Sequence, residues 1–160
     1  MQQEIYSKGD KMAIRNIRKY PDDILRKKSR DIIITNENMD KLKLLIEDMF
    51  DTLKVNDGIG LAAVQVGILK RLIVIEYENK KYVLINPIVV EAEGSQMCEE
   101  GCLSFPNEFF SVNRPTNIVV EYLDENGEKQ VLKEKGVLAV VLSHETDHLD
   151  GILYIDKKVE

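Results

Sequence analysis

The chain has no apolar run long enough to cross a bilayer. The longest, Val137 to Leu142, falls far short of the roughly 20 residues a helical span needs. Its first residues, Met1-Gln2-Gln3-Glu4, carry neither a basic segment nor an apolar stretch, so no secretory leader is expected and the reading is cytoplasmic. Cysteine is scarce: Cys98 and Cys102 alone do not make a disulfide framework, and in a cytoplasmic chain a plain thiol or a metal ligand is the expectation. Basic residues are outnumbered, 22 against 28 acidic, for a net charge of −6, which argues against a nucleic-acid-binding surface over the whole molecule. The locally basic segment Lys8 to Arg30 reads as a solvated face. Neither glycine pattern of a nucleotide loop is present, and there are no repeats or low-complexity tracts. Histidine is as scarce as cysteine: the two in the chain stand four apart.

What is present is an ordinary globular composition, 44% hydrophobic and 31% charged, over 160 residues. That is enough to bury a core without disulfides. Residues 1–11 show no pattern and read as a disordered leader, with Met12 an alternative start; 12–160 reads as a single domain. Tyr20-Pro21-Asp22-Asp23 is a turn into a short helix, Asp23 to Lys28. Asn36 to Val55 is a long amphipathic helix, with Met39, Leu42, Leu45, Ile46, Met49, Phe50 and Leu53 on one stripe and Asn56-Asp57-Gly58 ending it. Strands are expected over Arg71–Tyr77, Lys81–Ile85 and Ile88–Ala92, with a turn at Glu78-Asn79-Lys80 and a break at Asn86-Pro87. Gln96 to Glu99 reads as a loop. Asn117–Leu123 and Glu128–Lys133 flank Asp124-Glu125-Asn126-Gly127, the strongest hairpin signal here. Gly136 to Leu149 is a helix apolar on nearly every side, and therefore central. Ile152 to Ile155 is a last strand. This order predicts an α+β fold: antiparallel β-sheets packed around a central C-terminal helix, plus the N-terminal amphipathic helix.

The central helix carries both histidines, in His144-Glu145-Thr146-Asp147-His148, an H-E-x-x-H pattern. Residues four apart share a helix face, so both imidazoles can reach one metal ion, and the Glu beside the first can handle a proton over the open side. A catalytic site of this kind needs a third protein ligand. Tyr154 stands where one group of such enzymes has a third His, and too few residues follow His148 for a downstream Glu. The ligand is therefore expected upstream. Cys102 is the best candidate and Cys98 the rival, each having the plainer reading of a small buried hydrophobe. Two imidazoles and a thiolate suit Zn(II), Fe(II), Co(II) or Ni(II). Gln65, a lone amide in an apolar run, should have a partner if buried.

Three segments together, Gly58-Ile59-Gly60-Leu61-Ala62-Ala63-Val64-Gln65, Glu100-Gly101-Cys102-Leu103-Ser104 and the H-E-x-x-H stretch, resemble the signature motifs of peptide deformylases, in that family's order and at compatible spacing. The resemblance runs from about Met12 to the C-terminus. It implies metal-dependent removal of the N-formyl group from the initiator methionine of nascent polypeptides, with release of formate. It implies Cys102, His144 and His148 as metal ligands and Glu145 as general base and then acid. Gln65 and the backbone N–H of Leu103 would form the oxyanion hole, and the backbones of Ile59, Gly60 and Gly101 would pair with the substrate. The implied ion is Fe(II) in the cell, with Ni(II), Co(II) or Zn(II) in purified protein. Implied partners are N-formyl-methionyl nascent peptides and a transient ribosome contact. That contact would not run through the longer C-terminal helix some members use, since little chain follows the last element. Ser143 stands where the family commonly has Gln.

Val140 and Val141, one turn before His144, are candidates with Leu103 to line a methionine pocket, or else core. Glu100 and Arg114 are expected to pair and steady the Cys102 segment. Two other functions compete. A peptidase cutting internal bonds would need an extended cleft. A structural metal site would need a fourth protein ligand, such as Cys98.

Overall fold

The computed structural model describes residues 3–7 and 10–159, with side chains described from Ala13 onward. Two strands, β1 (Gln3–Ser7) and β2 (Asp10–Ile14), form an antiparallel hairpin where the sequence shows no pattern. Residues 1, 2, 8 and 9 of the expected leader lie outside the described residues. The end of β2 is anchored: Ala13 and Ile14 are buried, and the Arg15 N–H donates to Thr52 Oγ1 at 2.9 Å.

A 3₁₀ turn at Asp23–Arg26 replaces the expected helix to Lys28. Asp22 caps it by accepting from the Ile24 N–H, and Lys27 is already extended. Helix α1 (Met39–Val55) buries Leu42, Leu45, Ile46, Met49, Phe50 and Leu53, the predicted stripe apart from its first residue. Strands β3 (Gly60–Ala62), β4 (Leu72–Tyr77), β5 (Lys80–Glu93), β8 (Asn117–Leu123) and β9 (Lys129–Lys135) form one antiparallel sheet in the order β3-β4-β5-β8-β9. Strands β6 (Gln96–Cys102) and β7 (Phe105–Arg114) form a separate hairpin, and α2 spans Val137–Leu149. The architecture is thus mixed α+β, with antiparallel sheets and two helices, one of them C-terminal.

Alternation along β4 explains the layering. Leu72 and Val74 join the core beneath α1, whereas Ile73 and Ile75 join the core beneath α2, where Leu142 and Leu149 pack. Successive side chains point to opposite faces, so a strand covered by a helix on each side is apolar throughout. Each fully buried Leu or Ile contributes roughly 1.5–3 kcal/mol of transfer free energy, so these layers dominate stability.

Three further elements differ from the sequence reading. Strand β5 runs through Asn86-Pro87 instead of breaking. Asn86 adopts a positive φ of 51°, and its side-chain amide replaces a strand neighbour by accepting from the Ile32 N–H and donating to the Ile32 carbonyl, both at 2.8 Å. Residues 96–99 are strand and not loop, because they pair with β7, whose alternation is hidden by its exposure. The expected last strand is a 3₁₀ turn, Tyr154–Asp156, closed by Asp156 Oδ2 accepting from the Leu153 N–H at 3.0 Å and by pairing with Arg26. No helix among the described residues is long and apolar enough to cross a membrane.

Candidate metal centre

Helix α2 lies between the five-stranded sheet and the β6–β7 hairpin, and this places its polar residues against β6. His144, Glu145 and His148 are all buried on it. The hairpin is held by a small aromatic core of Leu25, Phe105, Val112, Leu153 and Tyr154. It brings Cys102, at the end of β6, to the helix. One ligand atom each from Cys102, His144 and His148 lies within 4.8 Å of the others, and the Cys102 sulfur is 3.4 Å from His148 Nε2. Cys98 is outside this group. Its one S–H has two acceptors at 3.4 Å, Glu100 Oε2 and the Val112 carbonyl, and burial with the neighbouring Glu100 charge pushes its pKa up to about 11.

A buried ion-pair network fixes the arrangement. Glu100 Oε1 accepts from His144 Nδ1 at 2.7 Å, which leaves Nε2 of that ring to face Cys102 and His148. Arg114, fully buried, donates to both Glu100 oxygens at 2.7 and 3.0 Å, to Ser143 Oγ at 3.2 Å and to Asp147 Oδ2 at 2.7 Å. The expected Glu100–Arg114 pair is therefore present and buried, and it also clamps β6 and β7 to α2. Ser143 accepts one of the guanidinium N–H groups.

The electrostatics suit a cation. Burial opposes charge on His144, but the Cys102 sulfur and the Glu100 carboxylate beside it outweigh burial and push its pKa up to about 10. His148 is held well below the ordinary range by burial and by its proximity to His144, so it stays neutral, as a ligand must be. Burial alone would raise Glu100, yet its hydrogen bonds to His144 and Arg114 bring it down to about 2. Burial pushes Glu145 up to about 7, with His144 pulling the other way. Two buried polar atoms here, Glu145 Oε1 and His148 Nδ1, have no hydrogen-bond partner. A cysteine sulfur, two imidazoles of which one is held neutral, and a carboxylate beside them fit a divalent ion of the zinc–iron–nickel class.

A cleft of about 1160 Å³ opens onto this group. Ile59, Gly60, Gln65, Gly101, Leu103, Val140, Val141, His144 and Glu145 all line it. Gln65 has the partners its burial demands. Its Oε1 accepts from the Ala62 N–H at 2.9 Å, and its Nε2 donates to Ser104 Oγ at 3.1 Å and lies 3.7 Å from the Cys102 sulfur. Gly60 has no room for a side chain: a Cβ there would come within 2.9 Å of Glu145 and Val141. Val140 and Val141 are half-buried, so they are cleft wall and not closed core. Sequence reasoning missed Asp147, which binds both Arg114 and Lys157, and Tyr154, whose ring lies edge-on to His144 with centroids 5.8 Å apart. The H-E-x-x-H pattern contains Asp147 at a free position, and nothing in spacing marks it.

The profile of the polypeptide deformylase family matches residues 14–160. Peptide deformylase 1 of Clostridium acetobutylicum is 50% identical over 150 residues, covering 93% of this chain and 97% of the relative. The peptide deformylase of Acetivibrio thermocellus is 48% identical over 148 residues, with 92% and 85% coverage. The crystal structure of peptide deformylase from Thermotoga maritima superposes with a TM-score of 0.87 at 39% identity, over 92% of this chain and 99% of that one. The Synechococcus elongatus peptide deformylase, solved in complex with actinonin, matches with a TM-score of 0.86 at 40% identity, over 90% and 80%.

Proposed function

The chain belongs to the polypeptide deformylase family, hydrolases that remove the N-formyl group from nascent polypeptides, and from that premise we propose which of its residues perform the reaction. Cys102, His144 and His148 hold one divalent ion, Fe(II) in the cell, with Ni(II), Co(II) or Zn(II) able to take its place in purified protein. Bound there, such an ion supplies Lewis acidity and lowers the pKa of water from 15.7 towards about 7. The observation that carries the assignment is the convergence of these three donors within 4.8 Å on the floor of a cleft, beside a buried carboxylate with an unpartnered oxygen.

Glu145 is the proton carrier. Its Oε2 is 4.0 Å from His144 Nε2, and its pKa of about 7 matches a base working near neutral pH. It takes a proton from the attacking water and returns it to the leaving amine nitrogen. The carbonyl oxygen gains negative charge as water adds. Gln65 Nε2 and the Leu103 N–H donate to it, and one such donor is worth about 3–4 kcal/mol. The Ala62 N–H holds the Gln65 carboxamide with its NH₂ group turned towards Cys102, so little reorganisation is needed. The peptide lies between β3 and β6. Strand β3 is an edge of its sheet and β6 pairs only with β7, so each has a free row of backbone groups towards the peptide. Gly60 and Gly101 offer theirs, with Ile59 beside them, although the Ile59 carbonyl already accepts from the Glu76 N–H at 2.8 Å. Val140, Val141 and Leu103 receive the methionine side chain. Glu145 and Val141 crowd Gly60, which keeps the backbone there close to the proton carrier. Since its substrates are nascent formylated chains, we place the enzyme in the cytoplasm.

The test is formate release from an N-formyl-methionyl peptide by protein prepared anaerobically and loaded separately with Fe(II), Ni(II) and Zn(II). Turnover with Fe(II) or Ni(II), and none on the N-acetyl peptide, supports the reading. One bound ion per chain with no formate from any form defeats it.

A further inference from the structure

The two groups proposed to donate to the oxyanion come from different sheets. Gln65 lies in a 3₁₀ turn, Ala63–Val66, directly after β3, and Leu103 begins the turn between β6 and β7. The two sheets share no strand, so the spacing of these donors must be set by something that touches both. One side-chain contact does: Gln65 Nε2 donates to the hydroxyl of Ser104, which is fully buried. It fixes the amide but not the backbone behind it.

The backbone is joined by the chain that precedes Pro21. Residues 15–20 form neither helix nor strand, and Arg15, Asn16, Ile17 and Lys19 line the cleft. This strap starts from a fixed point on α1. The Arg15 guanidinium donates to Oδ2 of the buried Asp48 at 2.9 and 3.1 Å. Further on, the Arg18 N–H donates to the Gln65 carbonyl at 2.7 Å, and the Tyr20 N–H donates to the Ser104 carbonyl at 2.9 Å. Positions two residues apart span at most about 7 Å. One short piece of chain therefore ties the residue that carries one donor to the neighbour of the other. The Tyr20 ring anchors the far end. It stacks on Phe105, centroids 4.8 Å apart and planes at 20°, and Phe105 belongs to the buried aromatic core of the hairpin. Nothing in the proposed chemistry uses this ring, which is 46% exposed.

Resting on the function proposed above, we infer that Tyr20 is a positioning residue for the oxyanion hole: its ring, seated on Phe105, pins the strap, and the strap sets the distance between the Gln65 amide and the Leu103 N–H. Negative charge on the oxygen develops only on the way to the tetrahedral intermediate. A mis-set distance therefore costs turnover and leaves substrate binding alone.

The test is a double-mutant cycle on one formyl-methionyl tripeptide. kcat, KM and metal content would be measured for the metal-loaded protein, Tyr20→Ala, Tyr20→Phe, Gln65→Glu and Tyr20→Ala with Gln65→Glu. Gln65→Glu keeps the oxygen that accepts from the Ala62 N–H and loses the NH₂ donor. Tyr20→Ala should lower kcat about ten- to hundredfold with KM and metal content unchanged, and Tyr20→Phe should restore it. With Gln65→Glu one donor is gone and its spacing from the other no longer matters, so adding Tyr20→Ala should cost less than about twofold. A merely structural role would cost the same factor in both backgrounds, or would raise KM or shed metal. Any of those results, or an unchanged kcat in Tyr20→Ala, overturns the inference while leaving the deformylase reading standing. No formate from the unsubstituted protein overturns both.

Discussion

Glu100 sits between His144 and Arg114, accepting from the imidazole Nδ1 at 2.7 Å and from the guanidinium at 2.7 and 3.0 Å. The carboxylate therefore fixes which His144 nitrogen is free and which way the ring faces. Partners of this kind raise the basicity of a ligating ring, and their loss typically costs about 10–100-fold in metal affinity. Glu100→Gln keeps the shape but loses the charge, and one of its two oxygens becomes a donor facing other donors. We expect weaker metal retention by about that factor, measured by competition with a chelator. Unchanged affinity would mean that ring orientation is set by packing against Tyr154 alone.

Glu145 is buried, has an unpartnered oxygen and lies 4.0 Å from Nε2 of His144. Under the proposed function it would handle a proton there without occupying a ligand position. Glu145→Ala should remove at least the roughly 10²–10⁴-fold that positioned proton transfer supplies, while the chain still binds one ion. Metal content by elemental analysis and formate release, measured on the same sample, decide this. A structural metal site has no use for Glu145, so full activity in the variant would sink the mechanism.

Arg114 is the largest fully buried side chain of the network, and two carboxylates depend on it. Arg114→Leu strands Glu100 in the interior, whereas the half-buried Asp147 keeps Lys157 at 2.8 Å. Breaking a buried pair from one side costs about 3–5 kcal/mol. Denaturant unfolding should show a loss of that size. A loss under about 1 kcal/mol would show that water reaches Glu100 and that the clamp is not a stability element.

How far the sequence could be read depended on the range of the interaction. The α1 stripe, the Asn126-Gly127 turn and the H-E-x-x-H face are set by neighbours within a few residues, and periodicity exposes them. Strand β7 escaped because its partner is β6, its outer face is solvated and no alternation survives at Pro106-Asn107-Glu108. Asn86 escaped because its amide stands in for a strand neighbour 54 residues away, at Ile32. At the site, the residue types named the chemistry. Only the fold could show that Arg114 joins Glu100 to Asp147, since those three share no local pattern. The acid-capped turn at Tyr154 likewise looked like a strand, because the Arg26 that pairs with Asp156 lies at the other end of the chain.

Cys98 gives a last test, one that separates a three-donor site from a four-donor one. Its one S–H faces Glu100 Oε2 and the Val112 carbonyl as alternative acceptors, and its pKa is pushed up to about 11. At pH 8 that leaves roughly one thiolate in a thousand, and the thiolate is the reactive form. Iodoacetamide at pH 8 should therefore label Cys98 slowly in the metal-loaded protein, and at much the same rate after the metal is removed. Labelling should accelerate about tenfold per pH unit up to about pH 11. Cys102 should instead become reactive only on metal removal. Peptide mapping after timed alkylation reads both sites at once. If removing the metal unmasked Cys98 as well, that thiol would be a fourth ligand and the open coordination position that hydrolysis requires would be lost.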